Sequence, residues 1–236
     1  MNHNIKNLNL EDHLDILRIF THTYSQLNQE AFVALFTGFR KNGIFIEFGA
    51  FDGIEYSNTY CLEHNLGWKG ILIEPNKSCY HYLQNNRNCI IDNRCIYSES
   101  NKILTFREIQ SNQEFSGIDL HLQPLPTNED LYSNSTTYTV KTISLLDLLN
   151  EYNVPNIIDY LSIDTEGSEF EILSSFDFSK YKFRVITVEH NNRPYRKDIK
   201  NLLEKNNYLQ VLSEVSQIDD WYINLDLYKN NLATQE

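Results

Sequence analysis

Four short apolar runs in this chain meet an acid where the chain must turn, and that repeated junction constrains the fold more than any other feature. The run at 44–48 carries Glu47 and meets Gly49. Ile71-Leu72-Ile73 meets Glu74, the run at 157–163 meets Asp164, and the run at 183–188 meets Glu189. Bounded runs of this length, rich in Ile, Val and Phe, read as buried strands. Helix-like segments at 57–64, 78–85, 169–174 and 195–206 lie between or after them. Alternation of this kind predicts an α/β protein with a mostly parallel sheet and helices on both faces. In such sheets ligands bind at the carboxyl ends of the strands, which is where these acids fall. The last two runs, 209–215 and 221–225, have no helix between them. The short connection at 216–220 fits a hairpin, so the last strand of a seven-stranded sheet should run antiparallel. That ending differs from the dinucleotide-binding sheet.

The rest of the chain reads less regularly. Leu14, Ile16, Leu17 and Phe20 form a helical stripe, so residues 1–24 are expected to be a helical extension. Ser25 is placed to cap a helix over 29–39. Residues 89–97 read as a third strand region, 103–109 as an additional strand, 137–143 as strand and 144–150 as helix. Residues 110–135 are polar and irregular, and are expected to be an insertion or lid. With no linker-like stretch, the 236 residues are expected to form one domain.

The net charge of −12 argues against a nucleic-acid partner, which calls for a basic face. Arg193, Arg196 and Lys197 form the one basic knot, read as a solvated helix start or as a contact for an anionic part of a substrate. The cysteines, Cys61, Cys79, Cys89 and Cys95, show no metal-binding spacing. No apolar stretch approaches the ~20 residues of a membrane span. A cytoplasmic protein with free thiols, and no membrane partner, is expected.

The loop Glu47-Phe48-Gly49-Ala50-Phe51-Asp52-Gly53 lacks both a G-x-G-x-x-G pattern and a phosphate-binding lysine. Its acids would repel a pyrophosphate and attract a ligand carrying sulfonium and ammonium charges, as S-adenosylmethionine does. Glu74 stands where a carboxylate accepts both ribose hydroxyls of a nucleoside. Asp164-Thr165-Glu166-Gly167-Ser168-Glu169 clusters carboxylates at a strand end, suited to a base, an orienting acid or a divalent metal ligand. His190, after Glu189, is a candidate proton acceptor near neutral pH.

Taken in order, these residues resemble the FkbM family of methyltransferases. The matching stretches are Tyr24-Ser25-Gln26, Gly43 through Gly53, Ser57-Asn58-Thr59, Gly67-Trp68-Lys69-Gly70 through Asn76, Asn86-Arg87, and Ile163 through Glu169. The resemblance implies a class I methyltransferase, Rossmann-like fold, S-adenosylmethionine as cofactor, and O-methylation of a hydroxyl on a sugar or a polyketide. It places Glu47, Gly49, Asp52 and Gly53 along the methionine part and Glu74 at the ribose. Residues 93–96, with Asn93 and Cys95, fall near the adenine, and Ser25 and Gln26 close over the cofactor. Asn58 and Pro75, within the matched stretches, join the cofactor-binding set. Asp164, Glu166, Glu189 and His190 face the acceptor as the catalytic set, with His190 or Asp164 as base. A magnesium ion on Asp164 and Glu166 is the alternative means of activating the hydroxyl. Two other functions fit parts of the pattern: a nucleotide-sugar glycosyltransferase with a metal on Asp164 and Glu166, and an adaptor that has lost its chemistry.

Overall fold

The computed structural model describes residues 21–122 and 132–228. Most of the expected N-terminal extension, and residues 123–131 of the expected insertion, lie outside them. The main sheet contains β1 (Ile44–Phe48), β2 (Lys69–Ile73), β3 (Ile90–Asp92), β8 (Ile157–Ile163), β9 (Lys182–Glu189), β10 (Tyr208–Val211) and β11 (Asp219–Asn224). Its order is β10-β11-β9-β8-β1-β2-β3. β11 runs antiparallel between β9 and β10, as the missing helix predicts. The other pairings of the sheet are parallel. The chain winds outward from β1 to β3, then returns to β8 on the other side of β1. The gap where the winding reverses, between β1 and β8, is the place where a ligand reaches the strand ends.

Alternation along β1 sorts its side chains between two cores. Ile46 and Phe48 pack with Leu161, Ile163, Leu148 and Leu173 on one face. Phe45 packs on the other with Phe32, Leu62, Leu72, Tyr160 and Trp221. The first face is covered by α4 (Leu145–Glu151), α5 (Glu169–Ser174) and α6 (Arg196–Lys205), the second by α1 (Gln29–Phe36) and α2 (Tyr60–Leu66). α3 (Lys77–Asn86) leaves β2 through Asn76, whose side chain accepts the N–H groups of Ser78 and Cys79. Ser144 caps α4 in the same way through Asp147 N–H.

The expected third strand region splits. Residues 90–92 stay in the main sheet, while β4 (Cys95–Tyr97) joins a second, four-stranded sheet with β5 (Ile103–Ile109), β6 (Gly117–Ile118) and β7 (Ser135–Ser144), in the order β4-β7-β5-β6. This sheet has a small core of its own, made by Cys95, Phe106, Ile118 and Val140. It leans over the ligand side of the main sheet. α1 also departs from expectation. Its cap position is Asn28 in the left-handed region, and the helix stops at Phe36. Ser25 instead gives its N–H and hydroxyl to the buried Glu30. Among the described residues no helix is long and apolar enough to cross a membrane.

Candidate active site

The carboxyl ends of β1, β2 and β8 open into a cleft of about 250 Å³, walled on its outer side by residues of the second sheet and the turn before β6. Gly49 leaves β1 with φ of +71°, and a Cβ there would lie 2.1 Å from the carbonyl oxygen of Asp164. Only glycine allows β1 and β8 to end this close together. Glu74 ends β2 and is buried. Its Oε2 accepts the N–H of Phe51 at 2.9 Å and its Oε1 the N–H of Asn76 at 2.7 Å. Burial pushes its carboxyl up to about 8, against the pull of these two donors.

Across the cleft, one carboxylate oxygen each from Asp164, Glu166 and Glu189 lies within 4.8 Å of the others. Burial raises all three carboxyls, Asp164 to about 7, and their mutual repulsion adds to it for Glu166 and Glu189. A side-chain hydrogen bond joins Asp164 and Glu189, lowering the carboxyl of the first and raising that of the second. The Arg193 guanidinium lies 3.6 Å from Glu166 Oε2 and opposes the rise there. The turn that carries Glu166 is built around Glu169. Its Oε1 accepts the Thr165 N–H, the Thr165 hydroxyl and the Gly167 N–H, and its Oε2 accepts the Tyr195 hydroxyl at 2.6 Å.

The cleft is lined by Gln26, Gly49, Asn58, Glu74, Pro75, Cys95, Asp164, Glu166 and Glu189 of the residues singled out in the sequence. The others lie outside its lining. Glu47 shares the face of β1 that packs on α2, since alternation turns it away from the strand end. There it accepts the Asn58 N–H at 2.6 Å and the hydroxyls of Ser57 and Thr59, with Arg87 4.0 Å away. Burial raises its carboxyl, and Arg87 and these donors hold it back. It therefore anchors the start of α2 and holds Asn58 in the cleft wall. Asp52 accepts the N–H groups of Ile54 and Glu55 and shapes the turn. Gly53 packs against α3, where a Cβ would meet Leu83 at 2.5 Å. Ser25 lies beneath the strap that carries Gln26. Asn93 is exposed beside Lys77 and Tyr80, in a separate hollow, because the chain bends there from the main sheet to β4.

His190 is also turned away. It is buried, Nδ1 accepts the Asn192 N–H at 2.9 Å, and Nε2 lies 3.6 Å from Asp220. Burial lowers its pKa. The next residue, Asn191, lines the cleft in its place. Within the basic knot the two arginines are paired with carboxylates, while Lys197 is exposed. Arg193 pairs with Glu166, and Arg196 donates to both oxygens of Asp220. Residues not singled out in the sequence complete the wall: Phe51, Tyr56, Ile73, Phe106, 113–118, Thr165, Ser168 and Ile218. The turn at 113–118 carries no pattern that announces it.

A seven-stranded sheet whose last strand runs antiparallel between its fifth and sixth, with a glycine and an acid at the ends of its first two strands, defines a Rossmann-like, class I methyltransferase fold. The family model "Methyltransferase FkbM domain" matches residues 47–222, and the chain belongs to that family. No curated protein matches it in sequence. Similar solved structures include the precorrin-6y C5,15-methyltransferase of Geobacter metallireducens GS-15 (12% identity, 77% of this chain and 70% of that chain covered, TM-score 0.40). The putative RNA methyltransferase PH1948 of Pyrococcus horikoshii is another (10%, 86% and 83%, TM-score 0.42). The N-terminal domain of human METTL16 in complex with SAH is a third (16%, 84% and 68%, TM-score 0.41).

Proposed function

We propose that this methyltransferase moves the methyl group of S-adenosylmethionine to a hydroxyl of a small carbohydrate or glycan. The observation that carries the reading is the meeting of Asp164, Glu166 and Glu189 at one end of the cleft, with Gly49 against Asp164 and Glu74 at the end of the next strand. The residues present fit the cofactor. Glu74 retains an accepting lone pair on each oxygen for ribose hydroxyls, beyond those used by Phe51 and Asn76. Asn58 donates to Ser162 at 2.9 Å, and its Oδ1 is buried without a partner in the cleft wall, an acceptor for an ammonium group. The apolar slot between Ile73, Cys95, Ile96, Phe106 and Phe115 suits a flat base. When bound, the cofactor supplies an electrophilic methyl group on a positively charged sulfur.

The chain's own contribution is to hold and to deprotonate. The acidic end favours a positive charge beside it. Asp164 has a carboxyl raised to about 7, with the hydrogen bond to Glu189 favouring its ionised form, so it is the base for the acceptor hydroxyl. Collinear positioning of oxygen, carbon and sulfur is worth ~7–11 kcal/mol. A divalent cation such as magnesium on Asp164 and Glu166 is the second reading, favoured by the three converging oxygens. Magnesium demands oxygens at ~2.0–2.1 Å, so the cluster would contract on binding it. Chelation that leaves the rate unchanged would remove this reading.

Calorimetric titration with S-adenosylmethionine, on wild type and Glu74→Ala, tests the proposal. Micromolar binding that weakens in the variant is expected. An adaptor without chemistry would bind no cofactor, and a glycosyltransferase would take a nucleotide sugar instead.

A further inference from the structure

Gln26 lines the cleft and also a second cavity of about 370 Å³, set between α1 and the segment before β11. Ile218 faces the first and its neighbour Gln217 the second, so the two hollows meet along one threshold. Their chemistry is opposite. The cleft ends in three carboxylates. Among the described residues no charged side chain lines the second hollow, in a chain where 22% of residues are charged. Its floor is Phe32 stacked on Trp221, with ring centroids 4.6 Å apart. Its rim exposes Leu35 (38%), Leu212 (44%) and Val215 (53%). Apolar side chains grouped in a groove beside a polar site mark a binding surface more often than scattered ones do.

The threshold is held in place. Tyr24 and Ser25 give their N–H groups to Glu30 Oε2 at 2.9 and 3.2 Å, and Leu27 gives its N–H to Gln29 Oε1 at 2.9 Å. Gln29 in turn donates to Asp219 at 2.7 Å, tying α1 to β11 beneath the groove. Gln26 is thus an exposed residue at the middle of a strap anchored on both sides. A substrate whose hydroxyl lies at Asp164 and whose body passes Gln26 enters the groove.

We infer that the groove receives the uncharged, apolar aglycone of a glycoside acceptor, while the acidic cleft holds its sugar. This rests on the reading of the cleft as a methyl-transfer site, and it narrows the acceptor class. Each methylene buried there is worth about threefold to fourfold in affinity. The test is calorimetry on the full chain saturated with S-adenosylhomocysteine. Octyl β-glucoside, below its micellar concentration, is compared with methyl β-glucoside. The octyl compound should bind at least about tenfold more tightly. Leu35→Glu and Val215→Glu, both on the exposed rim, should each cut that preference severalfold while S-adenosylhomocysteine binds as in wild type. Equal binding of the two glucosides, or a preference that survives both variants, overturns the inference. A dimer that dissociates in either variant overturns it in favour of a second copy of the chain. Wild type that binds no S-adenosylmethionine or S-adenosylhomocysteine instead overturns the functional reading itself, a distinct failure.

Discussion

Glu74 Oε2 accepts the backbone N–H of Phe51 at 2.9 Å, so the acid that ends β2 also sets the loop leaving β1. One carboxylate thereby aligns the first two strand ends and faces the cleft. Replacing it with alanine removes the hydrogen bonds this carboxyl makes and offers, worth about 0.5–1.5 kcal/mol each. We expect Glu74→Ala to weaken S-adenosylmethionine binding by about ten- to a hundredfold, read by calorimetry. Binding within a factor of two of wild type would remove Glu74 from the cofactor site.

Asp164 has a different role and a different signature. Asp164→Asn keeps the shape of the strand end and loses the base. Methyl transfer in a single turnover should fall by about 10²–10⁴-fold, with cofactor affinity changed only slightly. An undiminished rate would reassign the base.

The raised carboxyls also predict a pH dependence with a definite sign. As a base, Asp164 must be ionised, so kcat/KM should fall as the pH drops below about 7. Stability runs the other way. Asp164 and Glu74 have folded-state values of about 7 and about 8, above the ~4 of unfolded carboxylates. The protonated forms favour the fold, so their contribution is full below pH ~4 and is lost as the pH rises through 7 to 8. The Tm of the ligand-free chain should decline across that window, and Asp164→Asn should make the decline shallower. A Tm that rises from pH 5 to 8 and is unaffected by the variant would contradict the burial of these groups.

His190 is expected to matter for folding and not for proton transfer. It accepts the Asn192 N–H and sits against Asp220 in the interior. His190→Ala leaves that N–H unpaired, at a cost of about 1–3 kcal/mol. Thermal melts should show the loss, while the pH–rate profile keeps its shape. A profile that loses its limb near neutrality would restore His190 as the base.

Much of this architecture was legible in the amino-acid order. The runs at 157–163 and 169–174 have the bounds that their apolar pattern implies. The absent helix before the last strand foretold its antiparallel direction. Gly49, Glu74 and Asp164, which line the cleft, were legible as strand-end residues because each terminates a buried strand, and strand ends in a wound sheet share one edge. The second sheet was less so. β4 follows β3 after two residues, and nothing local reveals that the chain changes sheets between them.

The sequence by itself determined the strands, their winding and the acids at their ends, because hydrophobic period and turn chemistry are local properties. Only the tertiary structure decided which of those acids meet. Glu47 lies on the face of β1 that braces α2, while Gly49, which leaves the strand at a positive φ, lines the cleft. His190 faces Asp220, and Asn191 beside it faces the ligand side. In a strand or tight turn, adjacent side chains diverge, and the choice of face depends on partners that are distant in the chain. Glu30 and Arg87 are cases in point. Their buried charges bind Ser25 and Cys61, and Glu63 and Thr59, and no spacing in the sequence foretells those pairings.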